Sequence, residues 1–426
     1  MWMSNFEINS NKKKDMFAQP PMNKRWTILL GGFLLSLMGG MSYAWGSFVI
    51  PLKEAYGWTA AQANLPFTVM IITFAVFMIP AGWIQDKIGP RKVATAGAVV
   101  FFIGYGLSGL VHYIPSPGWL IFSYGIIVGL ACGLTYSCIA PTARKWYADR
   151  PGFAVSVSVM GFGLAAVALA PLKKSMILSL GVDGTFFTMA VLVAAIAFAG
   201  ARMIKNPPAD YKVAEHRKDS DSKKSEQVTV TEDIPPGVFL RTPFFYILWI
   251  AMAMVIGGGL TAIGLLTAYG EVQLQLSPAV AAIAISTYSL VNGLGRPFVG
   301  FLSDRVGTLR IMLIIYTIQA IVFFALPLVA VNLYLLILCS LFLGFGYAAT
   351  FALFPVIVAA KCGPKYLGVN YGFVFSAFAL GAITSLTGSW LWDQTDSFFP
   401  AFILAGATTI IGLILLSALH IKARAE

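Results

Sequence analysis

The chain has 426 residues, 58% hydrophobic and only 11% charged, with a formal net charge of +11. A water-soluble domain is about a quarter charged, so the composition excludes an ordinary soluble protein and makes lipid the solvent for most of the chain. The basic balance would suit nucleic acid, but the placement of the cations excludes that partner, as the loops show.

A membrane-crossing helix needs about 20 mostly apolar residues. Residues 1–25 are polar, with a lysine run at Lys12, Lys13 and Lys14, and read as a cytoplasmic tail. The first apolar stretch, 26–52, is too long for a signal-peptide core and is read as a span. Further spans are predicted over 59–83, 93–112, 118–142, 153–172 and 182–203, then 243–269, 278–301, 310–330, 333–359, 369–391 and 398–421. Between the two sets of six lies residues 205–240, charge-dense and containing Pro207, Pro208, Pro235 and Pro236, which reads as a flexible cytoplasmic linker. The expected architecture is therefore all-α: two pseudo-symmetric six-helix bundles, 26–204 and 241–421, with a short cytoplasmic tail at 422–426.

Every one of the 29 lysines and arginines except Lys53, Lys173, Lys174 and Arg296 falls on the side that holds both termini. This asymmetry places the termini in the cytoplasm and explains the basic charge without nucleic acid. Lys53, Lys173 and Lys174 are read as charges of the opposite, outer side. Cys132, Cys138, Cys339 and Cys362 form no metal or redox spacing and are read as reduced packing residues. His112, His216 and His420 are too scattered for a metal cluster, and no metal or cofactor is expected.

The halves repeat. "GWIQDKIGPRK" (82–92) follows the second span and "GFLSDRVGTLR" (300–310) follows the eighth; Gly82, Asp86 and Gly89 match Gly300, Asp304 and Gly307 at an offset of 218 residues. The same offset carries Gly39 and Gly40 onto Gly257 and Gly258, and Thr59 onto Ser277, both expected to be helix N-caps. A second pair joins "TARKWYADRPG" (142–152) with "VAAKCGPKYLG" (358–368). Internal repeats of this kind put a binding site between two moving halves. The doubled loop, twelve spans and central linker resemble the major facilitator superfamily over nearly the whole chain. That resemblance implies a gate on the cytoplasmic side in which the loop acid meets cations and a neighbouring helix end, a role carried onto Asp86, Arg91, Asp304 and Arg305.

"LVNGLGRPFVG" (290–300) puts Arg296 inside the eighth span, eight residues before Asp304 and so about 12 Å from that end. An arginine at a span centre costs about 2.5–3.5 kcal/mol on insertion scales. Snorkelling to the headgroups or a structural ion pair would make it bland. Against this, Pro297 predicts a kink, Gly293 and Gly295 expose backbone, and Asn292 shares the face of Arg296 at i−4. The turn reads as an anion pocket, since a guanidinium fork fits a carboxylate bidentately. No other charge is expected at mid-span. One fixed cation matches one carboxylate and leaves the second anion of a dicarboxylate unpaired.

Within the superfamily, "SYAWGSFVIPLKEAYGW" (42–58), "RKWYADRPGFAVSVSVMGFGLA" (144–165), "LRTPFFYILW" (240–249) and "NGLGRPFVGFLSD" (292–304) resemble the monocarboxylate transporters and the neighbouring bacterial oxalate–formate exchangers. The resemblance makes Arg296 the substrate arginine. Tyr136 in the fourth span and Tyr347 and Phe351 in the tenth lie on helices that line the cavity in the superfamily, and Tyr43 in the first is a further candidate; lipid-facing or interhelical packing is the alternative for each. Two positions depart from the animal carriers: Ser47 stands where they have a proton-linked lysine, and Asn292 where they have an aspartate. The eleventh span lacks the additional lysine of the oxalate exchangers, which disfavours a divalent substrate.

The expected function is secondary active transport of small monocarboxylates such as lactate and pyruvate with a proton, by alternating access, in a monomeric carrier of the bacterial inner membrane. Asp304 and Glu271 are the candidate proton carriers. An organic-anion exchanger of the oxalate–formate type is the alternative. An integral-membrane enzyme would need intramembrane nucleophiles, paired acids or a histidine cluster, and none is evident.

Overall fold

The computed structural model describes residues 22–208, 211 and 233–425. Among them there is no strand. In hydrocarbon no water pairs the backbone, so each segment must satisfy its own N–H and C=O groups as a helix.

Among the described residues the helices group into stretches consistent with twelve spans. The first is Met22–Gly40, a tight 3₁₀ turn Met41–Ala44, and Gly46–Tyr56; then come Ala60–Ile88, Pro90–Ser108, and a fourth made of Pro117–Leu120, a π-helical Ile121–Val128, Gly129–Tyr136 and Ile139–Trp146. The fifth and sixth form one continuous Pro151–Met203, broken at Gly181, whose φ of 73° marks the corner. The second half follows as Pro243–Ala268, Pro278–Val306, Thr308–Val329, Leu333–Cys362, Leu367–Phe375 with Ala377–Thr395, and Phe399–Ala425. Nine stretches among the described residues are long and apolar enough to cross a membrane, and Arg25–Gly40 and Pro151–Ala165 are shorter apolar helices.

The repeat is visible in the backbone. Gly89 and Gly307, one in each copy of the doubled loop, both end a helix with positive φ, 89° and 103°, a region that side-chain-bearing residues rarely occupy. The caps diverge. Thr59 forms a full capping box with Gln62, as expected. Ser277 stands at the N-cap but makes no side-chain cap bond; Pro278 fixes the first helical φ and brings no N–H to be capped.

The two bundles meet along the fifth and eighth spans and along the second and eleventh. Gly82 lies against the Gly368 carbonyl, and Gly152 against Gly300. A Cβ on Gly163 would come within 2.6 Å of the Gly293 Cα. This corrects the reading of Gly293 and Gly295 as openings in a pocket wall: Gly293 admits the fifth span, and Gly295 receives the ring of Phe345 from the tenth. The helix runs on through Pro297 to Val306 without a break.

A second correction concerns charge. Lys173, read as an outer-loop cation, is fully buried. The fifth helix continues past the expected end of its span, carrying Lys173 along the first span instead of out into a loop. The four cysteines are free and buried, in keeping with packing.

Candidate functional site

Arg296 is completely buried where the two bundles meet. Its Nε donates to the Asn292 carbonyl at 3.1 Å and to the Asn292 Oδ1 at 3.3 Å, and its Nη2 donates to that same Oδ1 at 3.0 Å. The i−4 spacing on one helix face made this pairing legible in the sequence. Its Nη1 donates at 2.7 Å to the carbonyl of Val159, on the fifth span of the other bundle. The guanidinium stands 5.0 Å from the centroid of the Phe351 ring. No carboxylate among the described residues pairs with it. The cation is therefore neither snorkelled nor neutralised by an acid. It is held by neutral acceptors and one ring face, and a guanidinium has more N–H groups than those bonds use.

Aromatic rings from both bundles surround this point. Tyr347 packs on Phe351 at 5.0 Å, and Phe351 on Phe378 at 5.8 Å. Phe162, from the fifth span, faces Phe351 at 6.5 Å and touches Tyr136 at 5.5 Å. Phe74 reaches Phe375 across the interface at 5.0 Å, and Tyr136 reaches the same ring at 5.6 Å. The Tyr371 hydroxyl is buried without a partner, and its ring packs on Phe375 at 5.7 Å.

Of the predicted site residues, Arg296, Asn292, Phe351, Tyr347 and Tyr136 thus belong to one continuous cluster. The side chain of Tyr43 lies outside the described residues; its backbone is in the Met41–Ala44 turn. Glu271 sits half-exposed in the short π-helical end of the seventh span, Tyr269–Gln273, away from the cluster. Sequence reading missed Phe74, Phe162, Tyr371, Phe375, Phe378 and the Val159 carbonyl. Tyr371, Phe375 and Phe378 do carry a signal, since positions i, i+4 and i+7 share a helix face. The Val159 carbonyl carries none. Cavities of about 130 and 170 Å³ lie on the flanks, one lined by Met254, Leu380 and Leu404 and one by Leu290, Leu294 and Phe298; Arg296 lines neither.

At the end carrying the termini, the two doubled motifs interlock. Asp304 accepts from the N–H groups of Gly152 and Phe153 at 2.8 and 2.9 Å. Asp86 accepts from those of Gly368 and Val369 at 3.2 and 3.0 Å. Each carboxylate sits on the first turn of a helix of the opposite bundle, where unpaired N–H groups and the helix dipole favour an anion. Arg144 and Arg150 act on Asp304 through their charge, as Lys145 does on Asp86. The loop cations themselves do not cross. Arg91 donates to the Arg202 carbonyl at 2.7 Å within its own bundle, and Arg305 lies 4.1 Å from the Phe301 ring of its own helix. The acids thus meet a neighbouring helix end, as expected, with Arg144, Arg150 and Lys145 as the nearby cations; Arg91 and Arg305 do not pair with them.

The sequence matches the family profile described as Major Facilitator Superfamily over residues 28–273 and 254–425. It is 28% identical over 364 residues to the oxalate:formate antiporter of Oxalobacter formigenes, covering 85% of this chain and 83% of that one. To monocarboxylate transporter 13 of Rattus norvegicus it is 24% identical, covering 91% and 87%. The crystal structure of the Escherichia coli fucose:proton symporter superposes with a TM-score of 0.67 at 15% identity, over 92% of this chain and 98% of that one.

Proposed function

The chain belongs to the Major Facilitator Superfamily and is a membrane transporter rather than an enzyme, and from that premise we propose that it carries small monocarboxylates such as lactate and pyruvate together with a proton. The carrier works by alternating access in the bacterial inner membrane. Bundles 26–204 and 241–421 rock about the site, and the tail, the 205–240 linker and the terminal motifs face the cytoplasm. The observation that carries this reading is a buried guanidinium with no acidic partner. A fixed cation among rings is complementary to one carboxylate with a small apolar body.

In the cycle, the anion displaces the Val159 carbonyl from Nη1 and takes the two-pronged bond that the backbone oxygen cannot give. Losing that contact uncouples the fifth span from the eighth, while the neutralised pocket lowers the cost of closing apolar walls around the site. Asp86 and Asp304 release their amides as the cytoplasmic end opens. Their charge-assisted bonds there favour a gating role for Asp304 over a proton-carrying one, and Glu271 is remote from the cluster.

A second reading is organic-anion exchange, favoured by the similarity to the oxalate:formate antiporter. Radiolabelled lactate uptake into proteoliposomes under an inward pH gradient separates the two. Symport gives accumulation that collapses with the gradient. Exchange gives no gradient response but strong stimulation by preloaded formate. Uptake surviving in Arg296→Ala would refute the site.

A further inference from the structure

Among the described residues the fully buried charged side chains are two, Arg296 and Lys173, and no acid is buried with either. Arg296 has its fork of neutral acceptors. Lys173 has one: its Nζ donates at 2.9 Å to the carbonyl of Met41, with the Phe48 ring 5.2 Å away.

That carbonyl is available for a local reason. In an α-helix the Trp45 N–H would donate to Met41. Here the chain tightens into the 3₁₀ turn Met41–Ala44, and the Trp45 N–H donates to Ser42 instead, at 2.9 Å. The break in the first span thus offers an acceptor, and the fifth span supplies the donor. The repeat offset of 218 carries Met41 onto Gly259. The Gly259 carbonyl also takes a side-chain donor, the hydroxyl of Tyr288 at 3.0 Å. The same backbone position is therefore tied by a neutral group in one bundle and by a titratable one in the other.

Among the described residues no charged group is paired with the Lys173 ammonium. On the first span, Lys53 and Glu54 are exposed at the far end and Tyr56 is half-buried there. The side chains of Tyr43 and Lys174 lie outside the described residues. On its own helix Asp183 stands beyond the Gly181 corner, half-exposed. The sixth span contributes Phe186, stacked on Phe48 at 4.5 Å. His112, at the end of the third, is exposed, and Tyr288 of the eighth is committed to Gly259. An ammonium has three N–H groups, and burial with one acceptor disfavours the charge.

We propose that Lys173 is a proton-binding site of the transport cycle, neutral when the fifth span closes on the Met41 carbonyl and protonated when the two spans part. The step is a simple transfer: Nζ gives one proton to water on closing and takes one back on opening. The amine that remains still donates one N–H to Met41. A conformation that exposes Lys173 therefore binds one proton more than this one, which links span movement to proton uptake. The inference rests on the transport reading above, and on symport only for its second readout.

The test uses the full chain in proteoliposomes, with Lys173→Gln as the neutral form and Lys173→Arg as the permanently charged one. Both variants are checked for a monodisperse peak. With equal pH on both sides, lactate exchange by the parent should change about tenfold across one inflection between about pH 6 and pH 8. Both variants should vary less than twofold from pH 6 to pH 8, with Lys173→Gln the faster where the parent is protonated. Under a pH gradient, Lys173→Gln should keep exchange but lose at least tenfold in accumulation. A parent without an inflection, or a variant that keeps it, overturns the proposal. A parent that exchanges but never accumulates overturns symport instead, and the equal-pH profile then decides Lys173 by itself. If Lys173→Gln is not monodisperse, Lys173→Arg alone decides by the same profile.

Discussion

Arg296 and Val159 bridge the two bundles: Nη1 of one lies 2.7 Å from the carbonyl of the other. The same cation that is proposed to bind substrate therefore also fastens the two bundles to each other. Substrate and closure compete for one N–H, which is a physical basis for coupling them.

Arg296→Lys separates charge from fork. A point ammonium keeps the cation but cannot reach Val159 and Asn292 together while holding both oxygens of a carboxylate. Charged hydrogen bonds contribute about 1.5–3 kcal/mol each, so uptake should fall about tenfold or more, and at least as far again in Arg296→Ala. Initial rates against lactate concentration check this, and near-parental uptake by the lysine variant would remove the fork from the mechanism.

Asp304→Asn should loosen the first turn of the fifth span. The amide oxygen can accept from only one of the two N–H groups, the NH2 cannot accept from the other, and the charge that faces the helix dipole is gone. Exchange of the Gly152 and Phe153 amide hydrogens should accelerate at least threefold, with Gly368 and Val369 responding in Asp86→Asn and not in Asp304→Asn. Hydrogen exchange with mass analysis reads both. Equal acceleration at both clamps in either variant would mean that they open as one.

Gly163→Ala should be far costlier than Gly106→Ala. A methyl at 163 meets the Gly293 backbone at 2.6 Å, whereas nothing lies within 4 Å of a Cβ at 106. Overpacking costs about 1–3 kcal/mol, while alanine in an open helical position is neutral or favourable. Thermal midpoints in detergent, with transport rates alongside, test the contrast. A Gly163→Ala carrier as stable and active as the parent would show that these spans separate with little resistance.

Stability should itself depend on pH through Lys173. Burial with a single acceptor disfavours its ammonium in the folded state, so where the folded chain has released that proton and the unfolded chain has not, stability rises with pH. Relative to Lys173→Met, the parent's thermal midpoint should climb with pH across that window and run parallel where both states keep the proton. Parallel curves throughout would show that Lys173 keeps its proton in the folded state.

The sequence by itself determined the medium, the helices and the repeat. These are local or periodic properties: hydrocarbon forces each apolar stretch to satisfy its own backbone, and the doubled loop recurs at one fixed offset. It also picked out Arg296 with Asn292, since partners four residues apart on one helix need no tertiary knowledge. What it could not hold was anything made between helices. Asp86 and Asp304 stood out, and so did the motifs at 142–152 and 358–368, yet each acid's partner is an amide across the interface rather than the cation beside it. Lys173 looked like a loop charge because nothing in its neighbourhood records that the fifth helix runs on. Its acceptor exists only because another span breaks at Met41. Backbone carbonyls such as those of Val159 and Met41 carry no side-chain signature, so only packing decides which of them a buried cation will meet.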